Sequence, residues 1–146
     1  MLKIRNNRGF TLIELLVVIG ILAVLLAITL IAVNPGQQLQ QADDTKRRSD
    51  INAILNSVNQ YMVANNGTVP GGMTAAAAPI SNTGIDLCTI VVPPYIAALP
   101  QDPASNSGAD ITSCVAYDSG YEASAENNRV TIYAPSANGG TIQVTR

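Results

Sequence analysis

RGFTLIELLVVIG occupies residues 8 to 20. An apolar run begins inside it, and a glutamate, Glu14, sits near the start of that run. From Leu15 to Val33 the chain reads LLVVIGILAVLLAITLIAV, without a single charge. As a helix this stretch spans about 28 Å, close to the ~30 Å hydrocarbon core of a bilayer. Lys3, Arg5 and Arg8 precede it with no acid among them, and a positive flank of this kind stays in the cytoplasm. The expectation is a single-pass membrane protein with a cytoplasmic N-terminus and an extracytoplasmic remainder.

Glu14 needs an explanation, because an isolated carboxylate in hydrocarbon costs at least a few kcal/mol. No Lys, Arg or His lies between Phe10 and Val33 to compensate it. A cut between Gly9 and Phe10 would create a cation, the new α-ammonium of Phe10, about one helical turn from Glu14. Pairing within one helix is awkward, since that ammonium sits at the helix's own positive end. Pairing with the Glu14 of a neighbouring chain would neutralise both charges and set the axial register between subunits. An ordinary export signal cut after the apolar run, or a plain anchor, leaves Glu14 unexplained.

The string from Arg8 to Ile19, RGFTLIELLVVI, resembles the class III signal of type IV pilins and type II secretion pseudopilins. The resemblance implies that a membrane prepilin peptidase cuts between Gly9 and Phe10 and N-methylates Phe10. It also implies that Glu14 is the assembly residue and that an inner-membrane platform builds the subunits into a filament. Leu99-Pro100-Gln101-Asp102-Pro103 is similar to a loop of the major pseudopilin group.

Beyond Val33 the pattern changes. Pro35 cannot donate to the carbonyl of Ile31, so Asn34-Pro35-Gly36 predicts a helix break. A restart is expected with Asn34 as N-cap, Pro35 as first helical residue and Gln37 as capping-box partner. The break is either a simple end at the membrane surface or, as the resemblance implies, a segment that stretches in a filament. Gln37 to Asn65 reads as an amphipathic helix with Ile51, Ile54, Leu55, Val58, Tyr61 and Met62 on one stripe. Asp43 with Arg47 and Asp44 with Arg48 are spaced for i,i+4 pairs. Lys46-Arg47-Arg48 therefore reads as a self-paired, solvated face or as a source of inter-subunit ion pairs, in preference to a nucleic-acid or lipid patch. Gly67 supplies the stop.

Residues 68 to 119 are rich in Gly, Pro, Ala, Ser, Thr and Asn. Mostly loop is expected there, with a strand at Cys88 to Val92 and a helical turn near Tyr95 to Leu99. GYEASA and RVTIY read as strands around Glu126-Asn127-Asn128, and TIQVT follows a second turn. Three antiparallel strands can then cover the helix's apolar stripe. The fold class is α+β: a pilin-like long N-terminal helix packed on a small antiparallel sheet. The expected segments are a leader at 1–9, a membrane or filament-core helix at 10–33, an amphipathic helix at 34–66 and a β-rich head at 67–146.

Composition narrows the chemistry. The chain has no His and no Trp and a formal net charge of −2. The commonest general base and metal ligand are thus missing. Asp86, Asp102, Asp110, Asp118, Glu122 and Glu126 outweigh Arg129 and Arg146 in the head, a poor surface for nucleic acid. Cys88 and Cys114, the only cysteines, suggest one disulfide in an exported domain. No resident cofactor is expected. Calcium is considered at Asp102 and Asp110, with Asp118 nearby in sequence, because the resemblance extends to some major pseudopilins that bind it. The spacing matches no EF-hand, however, and such Asp residues usually form turns. No nucleophile, base or metal cluster argues for an enzyme. The expected role is a structural subunit of a type IV pilus-like surface filament. A type II secretion pseudopilin, or a minor pilin in adhesion or DNA uptake, is the alternative.

Overall fold

The computed structural model describes residues 9–146; Lys3, Arg5, Arg8 and most of the expected leader lie outside the described residues. The chain divides into two units, one ending at Leu39 and the other running from Gln40 to Arg146.

The first unit contains helix α1, Leu12–Val33. None of its residues is buried, and its leucines, isoleucines and valines stand exposed on all sides. So much open apolar surface is not stable in water and calls for lipid or other helices. Among the described residues this is the one helix long and apolar enough to cross a membrane. It ends at Asn34, which adopts the left-handed conformation (φ 43°, ψ 76°). Asparagine tolerates that region better than most residues. Helix α2, Pro35–Ala64, begins at the next residue, with Pro35 where a proline is tolerated. The expected Asn34–Gln37 capping box is not how the restart is made. The backbone carbonyl of Asn34 accepts from the amides of Gln37 and Gln38 (3.1 and 3.4 Å). Asn34 is thus at once the C-terminal cap of α1 and, through its backbone carbonyl, the N-cap position of α2.

In the second unit α2 buries Ile51, Ile54, Leu55 and Val58 completely. These are four of the six stripe residues; Tyr61 and Met62 are half-buried at its end. The helix stops where Asn66 and Gly67 turn to positive φ and Gly67 N–H donates back to the Met62 carbonyl at 2.8 Å, a left-handed C-terminal closure.

The sheet has four antiparallel strands in sequence order: β1 Ala78–Ser81, β2 Asp118–Glu126, β3 Arg129–Ala134 and β4 Ile142–Thr145. Tyr121, Ala123, Val130, Ile132 and Ala134 alternate inward and join the stripe of α2 in one core. Asn127 and Asn128 both have positive φ (51° and 62°), which suits the two-residue turn of a twisted hairpin. The expected strands around this turn are β2 and β3, and TIQVT supplies β4.

Two expectations are corrected. β1 lies inside the segment expected to be loop. Its AAAAPIS context has little strand propensity, and Pro79 is admitted because β1 is an edge strand with a register shift at that point. The strand expected at Cys88 to Val92 is instead a one-turn helix, α3, Cys88–Val91. Val91 N–H bonds to Leu87 O and Val92 N–H to Cys88 O, so the local amides are consumed helically. The turn expected at Tyr95 to Leu99 begins with Tyr95 and Ile96 bonding back to Val91. Cys88 is disulfide-bonded to Cys114, with Cα atoms 5.5 Å apart. Closing a loop of this length contributes about 3 kcal/mol in the chain-entropy account.

Candidate functional site

The N-terminal segment presents Gly9 and Phe10 in the open, Phe10 with 84% of its surface exposed. A Cβ added to Gly9 would meet nothing within 4 Å, so no packing within this chain requires glycine there. Thr11 is the N-cap of α1, in extended conformation. Its amide donates to Glu14 Oε2 at 2.8 Å and its hydroxyl to the same oxygen at 2.7 Å. In return Thr11 Oγ1 accepts from the Glu14 amide at 3.3 Å. This is a complete capping box, which satisfies amides that the first helical turn leaves without partners. Both side-chain bonds fall on Oε2. Among the described residues, Oε1 accepts none.

A second cluster lies in the head. Arg47 and Asp102 are almost fully buried, with 3% and 1% of their surfaces exposed. Arg47 Nε donates to Asp102 Oδ2 at 2.8 Å and Nη2 to Oδ1 at 3.1 Å, a bidentate pair. Arg47 Nη1 reaches Asp44 Oδ1 at 2.9 Å, and the Asn138 amide donates to that oxygen at 3.2 Å. Lys46 Nζ donates to Asp50 Oδ2 at 2.9 Å and to the Gln101 carbonyl at 3.0 Å. Tyr121 Oη donates to Asp50 Oδ2 at 2.8 Å. Burial alone would raise the Asp102 carboxyl, but the Arg47 hydrogen bonds, the Ala104 amide and the charges of Arg47 and Lys46 hold it below the usual carboxylate range. Burial first, then the hydrogen bond to Asp50, pushes the Tyr121 phenol far up.

The prokaryotic N-terminal methylation motif matches residues 4–30, the span that holds Gly9, Phe10, Thr11 and Glu14. The type II secretion system core protein G of Aeromonas hydrophila is 37% identical over 109 residues, covering 70% of this chain and 71% of that protein. The chain belongs to the type IV pilin and type II secretion pseudopilin family. No solved structure matches it. As a pilin-family subunit it is a structural protein, and α1 with its motif is the family's membrane anchor.

Within this pilin-family chain the structure redraws several expected contacts. Asp43 does not pair with Arg47, nor Asp44 with Arg48; Arg47 takes Asp44 at i−3 and Asp102 from the head, and Lys46 takes Asp50. Arg47 faces inward, so Lys46-Arg47-Arg48 is not one solvated face; Arg48 is exposed. Asp102 is committed to Arg47, whereas Asp110 is exposed. Cys88 and Cys114 are joined, and Pro35 and Gly36 open α2. Sequence reasoning missed the Thr11 cap, although Thr-x-x-Glu before an apolar run signals it. It also missed the buried role of Arg47, for which no local signal exists.

Proposed function

We propose that this chain is a filament subunit of the secretion type: a prepilin that is processed, assembled into a short helical filament and used to move exported proteins. The observation that carries the secretion branch is the length of the similarity to the core protein G. At 109 residues it extends well past the matched motif at residues 4–30 into the head, where the branches differ. A longer type IV pilus-like surface filament is the second reading, favoured by the same motif, which serves both branches.

In this reading the chain inserts with its N-terminus in the cytoplasm, and a prepilin peptidase hydrolyses the Gly9–Phe10 bond. The leader leaves with the Gly9 carboxylate, and the freed Phe10 amine, in its unprotonated form, takes a methyl group from a methylsulfonium donor, which departs as the thioether; the methylated amine is then held as an ammonium. The open backbone at Gly9 suits access by that enzyme. Before assembly, Thr11 holds Oε2 of Glu14 and so limits the cost of keeping a carboxylate at the edge of the bilayer. The free Oε1 then accepts the Phe10 ammonium of a neighbour as the assembly platform draws subunits together. Such a pair is strong only when well placed, because both charges are desolvated among apolar helices. Other copies of α1 take the place of lipid around it, and the heads face outward.

Deletion of the gene, with complementation, tests the branch. The expected result is loss of exported proteins from the medium with no loss of long surface filaments. Normal export together with missing filaments would shift the assignment to a pilus subunit.

A further inference from the structure

The loop from Leu99 to Ile111 is closed at its base by a reciprocal pair of backbone bonds, Leu99 N–H to Ile111 O at 2.9 Å and Ile111 N–H to Leu99 O at 2.8 Å. It contains Asp102 and Asp110, the two residues a calcium ion would be expected to use. Calcium takes about six to eight oxygens at about 2.3–2.6 Å, and the inner oxygens of this loop, those of Asp102 and the Gln101 carbonyl, are already engaged. Both Asp102 oxygens accept from Arg47, and Oδ1 also accepts from the Ala104 amide at 2.8 Å. The Gln101 carbonyl accepts from Lys46 Nζ. That ammonium lies 3.4 Å from where a Cβ on Gly108 would stand, so it rests directly against the loop. Asp110 points to solvent-exposed surface. A divalent ion placed among these donors would meet two fixed positive head groups. The residues present do not fit calcium.

We propose that Lys46 and Arg47 are the resident cations of this loop: α2 supplies tethered positive charge where a metal would otherwise stand, and the 99–111 segment orders without a divalent ion. Each nitrogen does part of a metal's work. Arg47 neutralises the buried carboxylate, and Lys46 gathers the Gln101 carbonyl and the Asp50 carboxylate, which also holds the Tyr121 hydroxyl. The consequence is that the order of this loop, and the stability it lends the head, does not follow external calcium. This holds whichever filament the subunit builds.

The test uses the full chain in detergent, with thermal unfolding followed by near-ultraviolet circular dichroism in EDTA and in millimolar calcium. Calcium alone is also titrated by calorimetry. The expected outcome is the same unfolding midpoint in both media and no saturable heat. Lys46→Arg should keep the midpoint, and Lys46→Met should lower it equally in EDTA and calcium. A resident calcium site near saturation would raise the wild-type midpoint by several degrees. Such a rise, abolished in Asp102→Asn, would overturn the proposal. So would equal midpoints for Lys46→Arg and Lys46→Met, because charge would then not be what orders the loop.

Discussion

Glu14 has two oxygens and two separate tasks. One is internal: Oε2 closes the capping box with Thr11, and removal of a capping group costs about 0.5–2 kcal/mol of helix stability. The other belongs to the proposed assembly, in which Oε1, without a partner among the described residues, accepts from a neighbour's ammonium. Replacing Glu14 with Ala should leave the head folded and the chain inserted, because the buried core of the head is built from residues of the second unit alone. Filament yield in a shearing and sedimentation assay should nevertheless fall steeply. Normal yield and normal register from the Ala variant would refute the charge-pairing account. The same preparation, examined by peptide mass spectrometry, should show wild-type subunits beginning at methylated Phe10.

Among the elements, β2 carries a tight steric constraint. Gly120 has φ +75°, and a Cβ there would stand 2.8 Å from Asp102 Cβ. The strand passes directly over the loop that Arg47 secures, and the Asp102 amide bonds to Ser119 O at 2.9 Å. Gly120→Ala should therefore destabilise the head by about 1–3 kcal/mol for the backbone conformation alone, with further loss from the clash. Urea unfolding measures it; an unchanged midpoint would mean that β2 can move away from the loop at little cost. Strands β2 and β3 were legible because period-two alternation and an Asn-Asn turn are local signals. β1 was not legible. An alanine-rich run with a proline becomes a strand only because the edge of β2 is there to receive it.

For the molecule as a whole, the ion pairs give stability a defined pH dependence. Asp102 has a folded pKa below its ordinary value. Asp44 does too, where burial is outweighed by the Asn138 amide and by Arg47. A depressed carboxylate contributes fully above its unfolded pKa, and the contribution is lost as pH falls through the folded one. Stability should hold from neutral pH to about pH 4 and decline below it. Tyr117 sets the opposite limit. Its phenol, which bonds Cys88 N–H and Asp86, is pushed up to about 12 by burial foremost and by Asp86, against the Cys88 amide. Its contribution is complete below the ordinary phenol value of 10.0 and is lost as pH rises towards about 12. Denaturant midpoints across pH should trace a plateau with these two shoulders. A midpoint that keeps rising into acid would contradict the assigned carboxylates.

The processing string, the membrane helix, the break before Pro35 and the apolar stripe of α2 could all be read from residue order. Each depends on neighbours within a few positions: a run of hydrocarbon side chains, a missing amide donor, or a three- and four-residue repeat. The family resemblance came from the same short-range string. The identity of the charge partners could not be read that way. Asp102 lies 55 residues from Arg47, and two nearer acids, Asp43 and Asp44, were equally well spaced on the helix. Folding resolved the choice by turning Arg47 inward. Once the guanidinium was buried, a buried carboxylate had to meet it, because an unpaired charge in the core is far more costly than a lost surface pair. That demand, together with the burial of Leu99 in the core, holds the 99–111 loop against α2, and no rule of spacing along the chain contains it.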